Sequence, residues 1–271
     1  MITSPNDTVL TDVRDGVCRI TFNRPQALNA ITIDVMTALK EITDQLCVSK
    51  DVRVVIMRGQ GDHFMAGGDV KAFKTMLDEE PDRDKTAEQF NARLSRVHAT
   101  IENMRAMRQP IIASVRGAAA GAGVSLMLAC DLALATDDAF FTLAYCHIGT
   151  SPDGGSTYAL PRTVGLKKAM EIALLGDRFT AQDALDWGMV NRIVPAADLE
   201  GETDKLAARL AKAAGHANAE AKALLNASFH SSLIEQLDAE KAAFIRNTRT
   251  GDFYEGVTAF TEKRKPDFSG K

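Results

Sequence analysis

The sequence lacks the features of membrane, secreted disulfide-rich and metal-binding proteins. No segment contains the roughly 18 uninterrupted apolar residues that a membrane-spanning helix needs. Residues 1–15 have no basic stretch followed by an apolar run, so we expect no signal peptide. The four cysteines are scattered, without a Cys-x-x-Cys pair or a histidine cluster beside them. They predict reduced thiols in a cytoplasmic protein and no metal site.

The charge balance also argues against nucleic acids and anionic membranes as partners. The formal net charge is -4, with 45% apolar and 25% charged residues, which is ordinary for a soluble globular protein. Such a chain has no broad positive field for nucleic acid or an anionic membrane. The sequence also has no P-loop, no G-x-G-x-x-G after a strand and no serine nucleophile elbow. Any chemistry must therefore come from other motifs.

The first two thirds of the chain alternate predicted strands and helices. Strands are predicted at 17–22, 52–57, 111–115 and 132–136, and helices at 33–46 after an N-cap at Thr32, 85–107 and 121–129. This order predicts an α/β core built as a spiral of β-β-α repeats. Beyond Ala181 the pattern becomes helical, with amphipathic segments at 202–214, 217–230, 233–249 and 253–264. We predict a core over residues 1–190 and a packed α-helical C-terminal region over residues 191–271.

Two glycine-containing loops each lie between a predicted strand and a predicted helix. They are AGGDV at residues 66–70 and AGAGV at residues 120–124. Glycine lets a ligand approach the backbone closely, and a helix start leaves N–H groups without acceptors. Each loop alone is also typical of tight packing between a strand and a helix. Taken singly, the loops leave the function open.

Three longer segments carry a resemblance to a known family. Residues 117–162, GAAAGAGVSLMLACDLALATDDAFFTLAYCHIGTSPDGGSTYALPR, resemble the central segment of the crotonase (enoyl-CoA hydratase/isomerase) superfamily. The segments NRPQALNA near the N-terminus and GVTAFTEKRKPDFSGK at the C-terminus resemble the family's other signatures. The resemblance covers nearly the whole chain. It implies a crotonase-like fold, an acyl-CoA substrate, no cofactor beyond the coenzyme A of that substrate, and a homotrimer or hexamer formed through the C-terminal helices.

The same resemblance assigns roles to individual residues. Members of the superfamily stabilise an enolate with two backbone N–H groups, and these fall here on Gly68 and Ala122. Losing one such oxyanion donor typically costs about 10²–10³ in rate. The positions that the resemblance places near coenzyme A are Arg24, Gln26, Ala27, Leu28, Ala66, Gly68, Asp69, Val70, Phe260 and Lys263.

The proton carrier distinguishes this chain from hydratases of the superfamily. Those enzymes carry two glutamates at the positions of Ser125 and Tyr145. Serine has no carboxylate, and a tyrosine of ordinary pKa ~10 is a poor base near pH 7. Asp153, in PDGGSTYALPR, stands where dienoyl-CoA isomerases and the ring-epoxide isomerases of phenylacetyl-CoA catabolism have a catalytic aspartate. From the residues alone, Pro-Asp-Gly is also a turn whose aspartate caps the next helix.

Four functions remain open, and we favour an acyl-CoA double-bond or ring isomerase of fatty-acid or aromatic catabolism. A single carboxylate suffices for it, since one base can move a proton between two carbons. The 4-chlorobenzoyl-CoA dehalogenases share the fold, use an aspartate at the position of Asp153 as nucleophile and have a histidine at the position of His98. They keep hydrolytic dehalogenation or thioester hydrolysis open. The third and fourth functions are those of an enoyl-CoA hydratase and of a non-catalytic CoA-binding protein.

Overall fold

Nine strands and eleven helices form an α/β fold in the computed structural model, which describes residues 2–270. The strands are β1 (Val9–Arg14), β2 (Val17–Phe22), β3 (Val54–Gly59), β4 (Ile111–Val115), β5 (Ala118–Ala120), β6 (Leu132–Thr136), β7 (Phe140–Thr142), β8 (Phe179–Thr180) and β9 (Arg192–Val194). The helices are α1 (Ile33–Val48), α2 (Val70–Glu79), α3 (Arg83–Ala106), α4 (Ala122–Ala129), α5 (Ser156–Val164), α6 (Leu166–Leu175), α7 (Ala181–Asp186), α8 (Leu199–Ala211), α9 (Gly215–Ala227), α10 (Leu233–Asn247) and α11 (Gly251–Thr261). None of these helices is long and apolar enough to cross a membrane.

The main sheet has six strands in the order β1-β2-β3-β4-β6-β9. Its neighbours are parallel except for the antiparallel pair β1 and β2. Every residue of β4 is buried, as is typical of a parallel strand that is covered on both faces. Because β3 and β4 run in the same direction, the loops that follow them leave the sheet at the same edge. A smaller sheet, β5-β7-β8, lies further along the chain.

Local sequence signals explain why α1 begins and packs as it does. The Thr32 hydroxyl accepts a hydrogen bond from the N–H of Val35, which gives the first turn of the helix one of its missing acceptors. Val35, Leu39, Ile42 and Leu46 then recur at helical spacing, and all are buried in the main core. The predicted N-cap and apolar face of this helix are both confirmed.

Most predicted elements are found near their predicted positions. The strands β2, β4 and β6 coincide with the predicted ranges, whereas the strand predicted at 52–57 lies at Val54–Gly59. The edge strand β1 was not predicted, because VLTDVR mixes charged and apolar residues; three of its six positions are exposed and one is buried. The four predicted C-terminal helices are confirmed as α8 to α11, with ends that differ by a few residues.

The C-terminal region, predicted as α-helical over residues 191–271, begins with a short strand that was not predicted. Arg192–Val194 forms β9, which pairs in parallel with β6 and so completes the main sheet. The following helix α8 packs Leu206 and Ala207 onto the sheet residues Val54 and Ile56. A three-residue strand has too few positions to show a period of two, so its sequence carried no strand signal. The division of the chain at residue 190 stays a prediction.

A buried lysine attaches α9 to the rest of the protein. Lys222 Nζ lies 2.8 Å from Oδ2 of Asp131 and donates hydrogen bonds to the carbonyl oxygens of Met104 and Gln109. Beyond this anchor, α9 to α11 and the connection between α9 and α10 expose many large apolar side chains. These are Leu225, Phe229, Leu233, Ile234, Leu237, Phe244, Ile245, Tyr254, Val257 and Phe260.

Candidate active site

The two glycine-containing loops lie against each other at the edge of the main sheet. The N–H of Met65 donates to the Ala118 carbonyl (3.0 Å), and the N–H of Ala120 donates back to the Met65 carbonyl (2.9 Å). A Cβ placed on Gly67 would lie 3.1 Å from the Ala120 carbonyl oxygen, and Gly67 has a φ of 83°. Only glycine fits that position without strain. The structure therefore brings the loops into direct contact.

The N–H groups of Gly68 and Ala122 are among the unpaired donors of this region. Within residues 2–270, neither group donates to a protein acceptor. Ala122 is the first residue of α4, where N–H groups lack helical partners and carry the positive end of the helix dipole. The unusual backbone angles, φ 50° and ψ -119°, fall on Gly121 instead. An alanine is therefore tolerated at position 122.

Three donors hold the backbone of Asp153 in the turn before α5. The hydroxyls of Ser125 (2.9 Å) and Ser156 (2.8 Å) donate to the Asp153 carbonyl oxygen, and so does the Ser156 N–H (3.2 Å). Gly154 has a φ of 59°, and a Cβ there would lie 2.9 Å from Cβ of Ser125. Ser125, at the position of a hydratase glutamate, is 2% exposed and fixes the loop that carries Asp153.

Tyr145 connects the Asp153 carboxylate to α4. Its hydroxyl donates a hydrogen bond of 2.5 Å to Oδ1 of Asp153, and Oδ2 receives no donor within residues 2–270. A Cβ placed on Gly121 would lie 3.9 Å from Cε2 of the Tyr145 ring. Burial, the negative charge of Asp153 and this hydrogen bond raise the pKa of the Tyr145 phenol well above its usual value. Tyr145 is thus a hydrogen-bond donor and not a base.

The predicted CoA segment lies beside the first loop. The N–H of Ala66 donates to the Leu28 carbonyl (2.9 Å), and the N–H of Ile31 donates to the Gly67 carbonyl (2.7 Å). Gln26, Leu28 and Val70 are exposed, Ala27, Ala66 and Gly68 are half-buried, and Arg24 and Asp69 form an ion pair. Phe260 and Lys263 lie exposed at the end of α11 and just beyond it, and their contact with the nucleotide stays a prediction.

His98 lies on the exposed side of α3. Its neighbour Val97 is buried, with Cγ1 3.7 Å from the position of a Cβ on Gly154. At this level of the helix the residue that faces the Asp153 loop is therefore Val97. The structure does not bring His98 into the hydrogen-bonded group of Ser125, Tyr145 and Asp153.

A cavity of about 450 Å³ adjoins this group on the side of Ser125. Its walls come mainly from small and apolar residues of α3, α4 and α5 and from the glycines after Asp153. They include Ile101, Ser125, Leu128, Ala129, Gly154 and Ala159, and the polar side chains of Glu102, Arg105, Tyr158 and Asn226 complete the lining. No motif marked this cavity in the sequence, because its walls come from three helices that are distant in the chain. The helical spacing of Ser125, Leu128 and Ala129, which places them on one face of α4, was the one sequence pattern that could have indicated it.

Comparisons of sequence identify the family. A family model described as enoyl-CoA hydratase/isomerase matches residues 12–271. The 1,2-epoxyphenylacetyl-CoA isomerase of Escherichia coli is 33% identical over 264 residues, which cover 97% of this chain and 98% of that protein. A probable enoyl-CoA hydratase of Mycobacterium bovis is 35% identical over 263 residues, which cover 97% and 98% of the two chains.

Solved structures agree with this assignment. An enoyl-CoA hydratase from Polaromonas sp. JS666 superposes with a TM-score of 0.89 at 32% identity, covering 96% of this chain and 99% of that chain. An enoyl-CoA hydratase from Bacillus anthracis has a TM-score of 0.90 at 31% identity, covering 98% and 100%. The crotonase-like α/β fold predicted from the sequence is confirmed. The chain belongs to the enoyl-CoA hydratase/isomerase family.

Proposed function

We propose that this protein is an acyl-CoA isomerase that moves a double bond through a thioester enolate, with Asp153 as the proton carrier. The observation that carries the proposal is the way in which the Asp153 carboxylate is hydrogen-bonded. One of its oxygens is held by Tyr145, the other is free within residues 2–270, and the backbone is fixed by Ser125 and Ser156. A general base has to be held in this way, with one oxygen available to the substrate.

The unpaired N–H groups of Gly68 and Ala122 supply the second half of the chemistry. Donors that already point at the developing oxyanion lower the barrier, because they need no reorganisation during the reaction. The N-terminal position of Ala122 in α4 adds the partial positive charge of the helix. The thioester oxygen would bind between these two groups.

The proton transfers balance with one carboxylate. Oδ2 of Asp153 takes a proton from C2 of a 3-enoyl-CoA, and the C–H electron pair moves through the carbonyl to give a dienolate. The carboxylic acid then returns the proton to C4, which leaves the double bond between C2 and C3. Coenzyme A enters and leaves as part of the substrate, and no other cofactor takes part in the scheme.

Hydration would need a further group at this site. Adding water across a double bond requires a base that activates the water and an acid that protonates carbon. The two loops and the turn at Asp153 contain two carboxylates, Asp69 and Asp153. A third, the exposed Glu102, lines the cavity beside Ser125 but has no hydrogen bond to Ser125, Tyr145 or Asp153 within residues 2–270. Asp69 is engaged by Arg24 and by the N–H of Ala72. Ser125 and the high-pKa phenol of Tyr145 are poor substitutes for a carboxylate.

The cavity beside Ser125 suits the acyl group. Its volume of about 450 Å³ exceeds the roughly 150 Å³ of an apolar cavity that binds benzene. Its walls are largely apolar, so a medium-length acyl chain or an aromatic ring fits it better than a charged group.

Product analysis tests the proposal. The purified protein is incubated separately with 3-hexenoyl-CoA and 2-hexenoyl-CoA, and products are followed by the absorbance of the conjugated thioester and by mass spectrometry. We expect conversion of the 3-enoyl to the 2-enoyl thioester, with little gain of water by either. Hydration that outpaces isomerisation would make the protein a hydratase, the activity named for the M. bovis relative. Tight binding without turnover of any acyl-CoA would make it a non-catalytic CoA-binding protein.

A further inference from the structure

The Arg24 side chain connects the two segments that form the proposed CoA and oxyanion sites. Its Nη1 donates a hydrogen bond of 2.6 Å to the Ala30 carbonyl, and its Nη2 donates one of 3.1 Å to Oδ2 of Asp69. The two side chains are only 20% and 18% exposed. A guanidinium that is bonded to two groups inside the protein has little freedom to follow a mobile phosphate.

Asp69 uses its second oxygen for the structure of the loop. Oδ1 accepts a hydrogen bond of 3.2 Å from the N–H of Ala72 and thereby caps α2. Burial alone would raise the pKa of Asp69. The hydrogen bonds from Ala72 and Arg24, together with the Arg24 charge, nevertheless hold that pKa below its usual value. The carboxylate therefore stays ionised near neutral pH, and the pair stays charged.

The orientation of the Gly68 N–H depends on the same segment. The Gly67 carbonyl accepts a hydrogen bond from the N–H of Ile31, and the Asp69 N–H donates to the Ile31 carbonyl. A trans peptide is planar, so its N–H points opposite to its C=O. When the Gly67 carbonyl points at Ile31, the Gly68 N–H must point away from Ile31. Fixing Ile31 relative to Asp69 thus fixes the direction of the donor.

We propose that Arg24 and Asp69 are positioning residues whose ion pair fixes the peptide between Gly67 and Gly68 and so keeps the Gly68 N–H directed at the thioester oxygen. Arg24 then contributes to polarisation of the substrate carbonyl and makes no contact with a phosphate of coenzyme A. This inference rests on the proposed function, because it takes Gly68 as an oxyanion donor. Residues 24–31 and the loop at residues 66–70 then move together as one rigid segment.

Two consequences separate this role from CoA binding. Removing either partner lets the peptide rotate, so the loss falls on kcat and on carbonyl polarisation, not on affinity for free CoA. Complete loss of one oxyanion donor sets the upper limit, about 10²–10³ in kcat, and we expect about 10–10² for a loosened donor. Because the two residues act through one contact, the double variant should lose no more than the worse single variant.

The test uses Arg24→Met, Asp69→Asn and the double variant in the full-length protein. The probe is 4-(dimethylamino)cinnamoyl-CoA, whose absorption band moves to longer wavelength when its thioester carbonyl is polarised. Calorimetry gives Kd for free CoA, and turnover of 3-hexenoyl-CoA gives kcat. Arg19→Met is the matched control: Arg19 is also 20% exposed and pairs with Asp204 at 2.8 Å, on the side of the main sheet that α8 covers.

We expect the wild-type protein and Arg19→Met to shift the probe band fully. Arg24→Met, Asp69→Asn and the double variant should lose most of the shift while keeping Kd for CoA within about 3-fold, a difference of less than 1 kcal/mol. A large loss of CoA affinity with an unchanged band would make Arg24 a CoA ligand and overturn the inference. An unchanged band, affinity and kcat would overturn it as well.

Two further outcomes are distinguishable from these. If the wild-type protein produces no shift at all, the proposed oxyanion site fails, and the positioning role fails with it. If Arg24→Met does not fold, Asp69→Asn decides the matter alone, since an asparagine can still accept from Ala72 and cap α2. Arg24→Lys, which keeps the charge but offers one point of contact, should restore the band only in part.

Discussion

The Tyr145 hydroxyl donates a hydrogen bond of 2.5 Å to Oδ1 of Asp153, and Oδ2 of the same carboxylate receives no donor within residues 2–270. A hydrogen bond to an ionised oxygen is short and strong, and it fixes the plane of the carboxylate. The two oxygens therefore have separate tasks in the proposed reaction. One is anchored to the protein, and the other is left to exchange a proton with the substrate.

Replacing Asp153 by asparagine should remove the proton carrier and little else. Asparagine has the same shape and can still accept from Tyr145, but it cannot hold a proton in transit. We expect kcat on 3-hexenoyl-CoA to fall by about 10²–10⁴, the usual contribution of a general base. Circular dichroism and the Kd for CoA should stay as in the wild type. The exposed Asp138→Asn is the control, and an Asp153→Asn variant of wild-type activity would reduce Asp153 to a turn residue.

The high pKa of Tyr145 predicts a flat alkaline pH profile. A raised pKa means that the phenol loses its proton only above its ordinary value of ~10, so the bond to Asp153 persists at lower pH. We expect no decline of kcat between pH 7 and about 10 that comes from Tyr145. Tyr145→Phe should lower kcat about 10-fold, the scale of one hydrogen bond to a charged group. The exposed Tyr254→Phe serves as the control.

The corresponding measurement is kcat against pH for the wild type and Tyr145→Phe. An alkaline decline in the wild type that begins below about pH 10 and is absent from Tyr145→Phe would contradict this account. It would mean that the phenol ionises within the working range.

His98 separates the isomerase from a hydrolytic enzyme. A dehalogenase or thioesterase would use Asp153 as a nucleophile and need an activated water to cleave the resulting ester. His98 is exposed on α3, so we expect His98→Gln to change kcat by less than about 10-fold, below the usual contribution of general base catalysis. We also expect no chloride from 4-chlorobenzoyl-CoA and no oxygen-18 in Asp153 after turnover in labelled water. Label in the peptide containing Asp153 would overturn the isomerase assignment.

Filling the cavity beside Ser125 should change substrate preference without abolishing the reaction. Ala159→Phe places a ring in the space between α4 and α5. We expect kcat/KM for an eight-carbon 3-enoyl-CoA to fall at least ~10-fold and that for 3-butenoyl-CoA to change less than ~3-fold. The four-carbon substrate is the internal control, because it needs no room beyond the double bond. An equal loss on both substrates would mean that the acyl group binds elsewhere.

Elements with strong local signals could be predicted from the sequence. Thr32 and the apolar residues after it predicted α1, and the apolar run of Ile111–Val115 predicted β4. The strand β9 was missed because its place is set by pairing with β6, not by its three residues. Propensity is a weak signal in so short a segment, and the register of a sheet is a long-range property.

The features of the candidate site fall into the same two groups, those that could be predicted from a local motif and those that could not. Asp153 and the two loops were found through motifs, because each motif is contiguous in the chain. The bond from Tyr145 to Asp153 and the ion pair of Arg24 with Asp69 join residues that no local rule relates. Arg24 in particular was placed near coenzyme A by resemblance, which stays a prediction, while its bonds to Ala30 and Asp69 could not be read from the sequence. Side-chain partners of this kind become visible only when the fold brings the segments together.

The exposed apolar faces of α9 to α11 predict association of the chain with copies of itself. Leu225, Leu233 and Phe244 are 70%, 74% and 62% exposed, and such contiguous apolar surface on a single chain marks a contact with another protein. We expect a trimer or a dimer of trimers, three or six times the 29.3 kDa of one chain, by light scattering at micromolar concentration. Leu233→Glu should lower the mass, whereas Lys50→Glu, an exposed change just after α1 and outside α9 to α11, should not. A wild-type monomer under these conditions would refute the assembly and leave the apolar faces without a function.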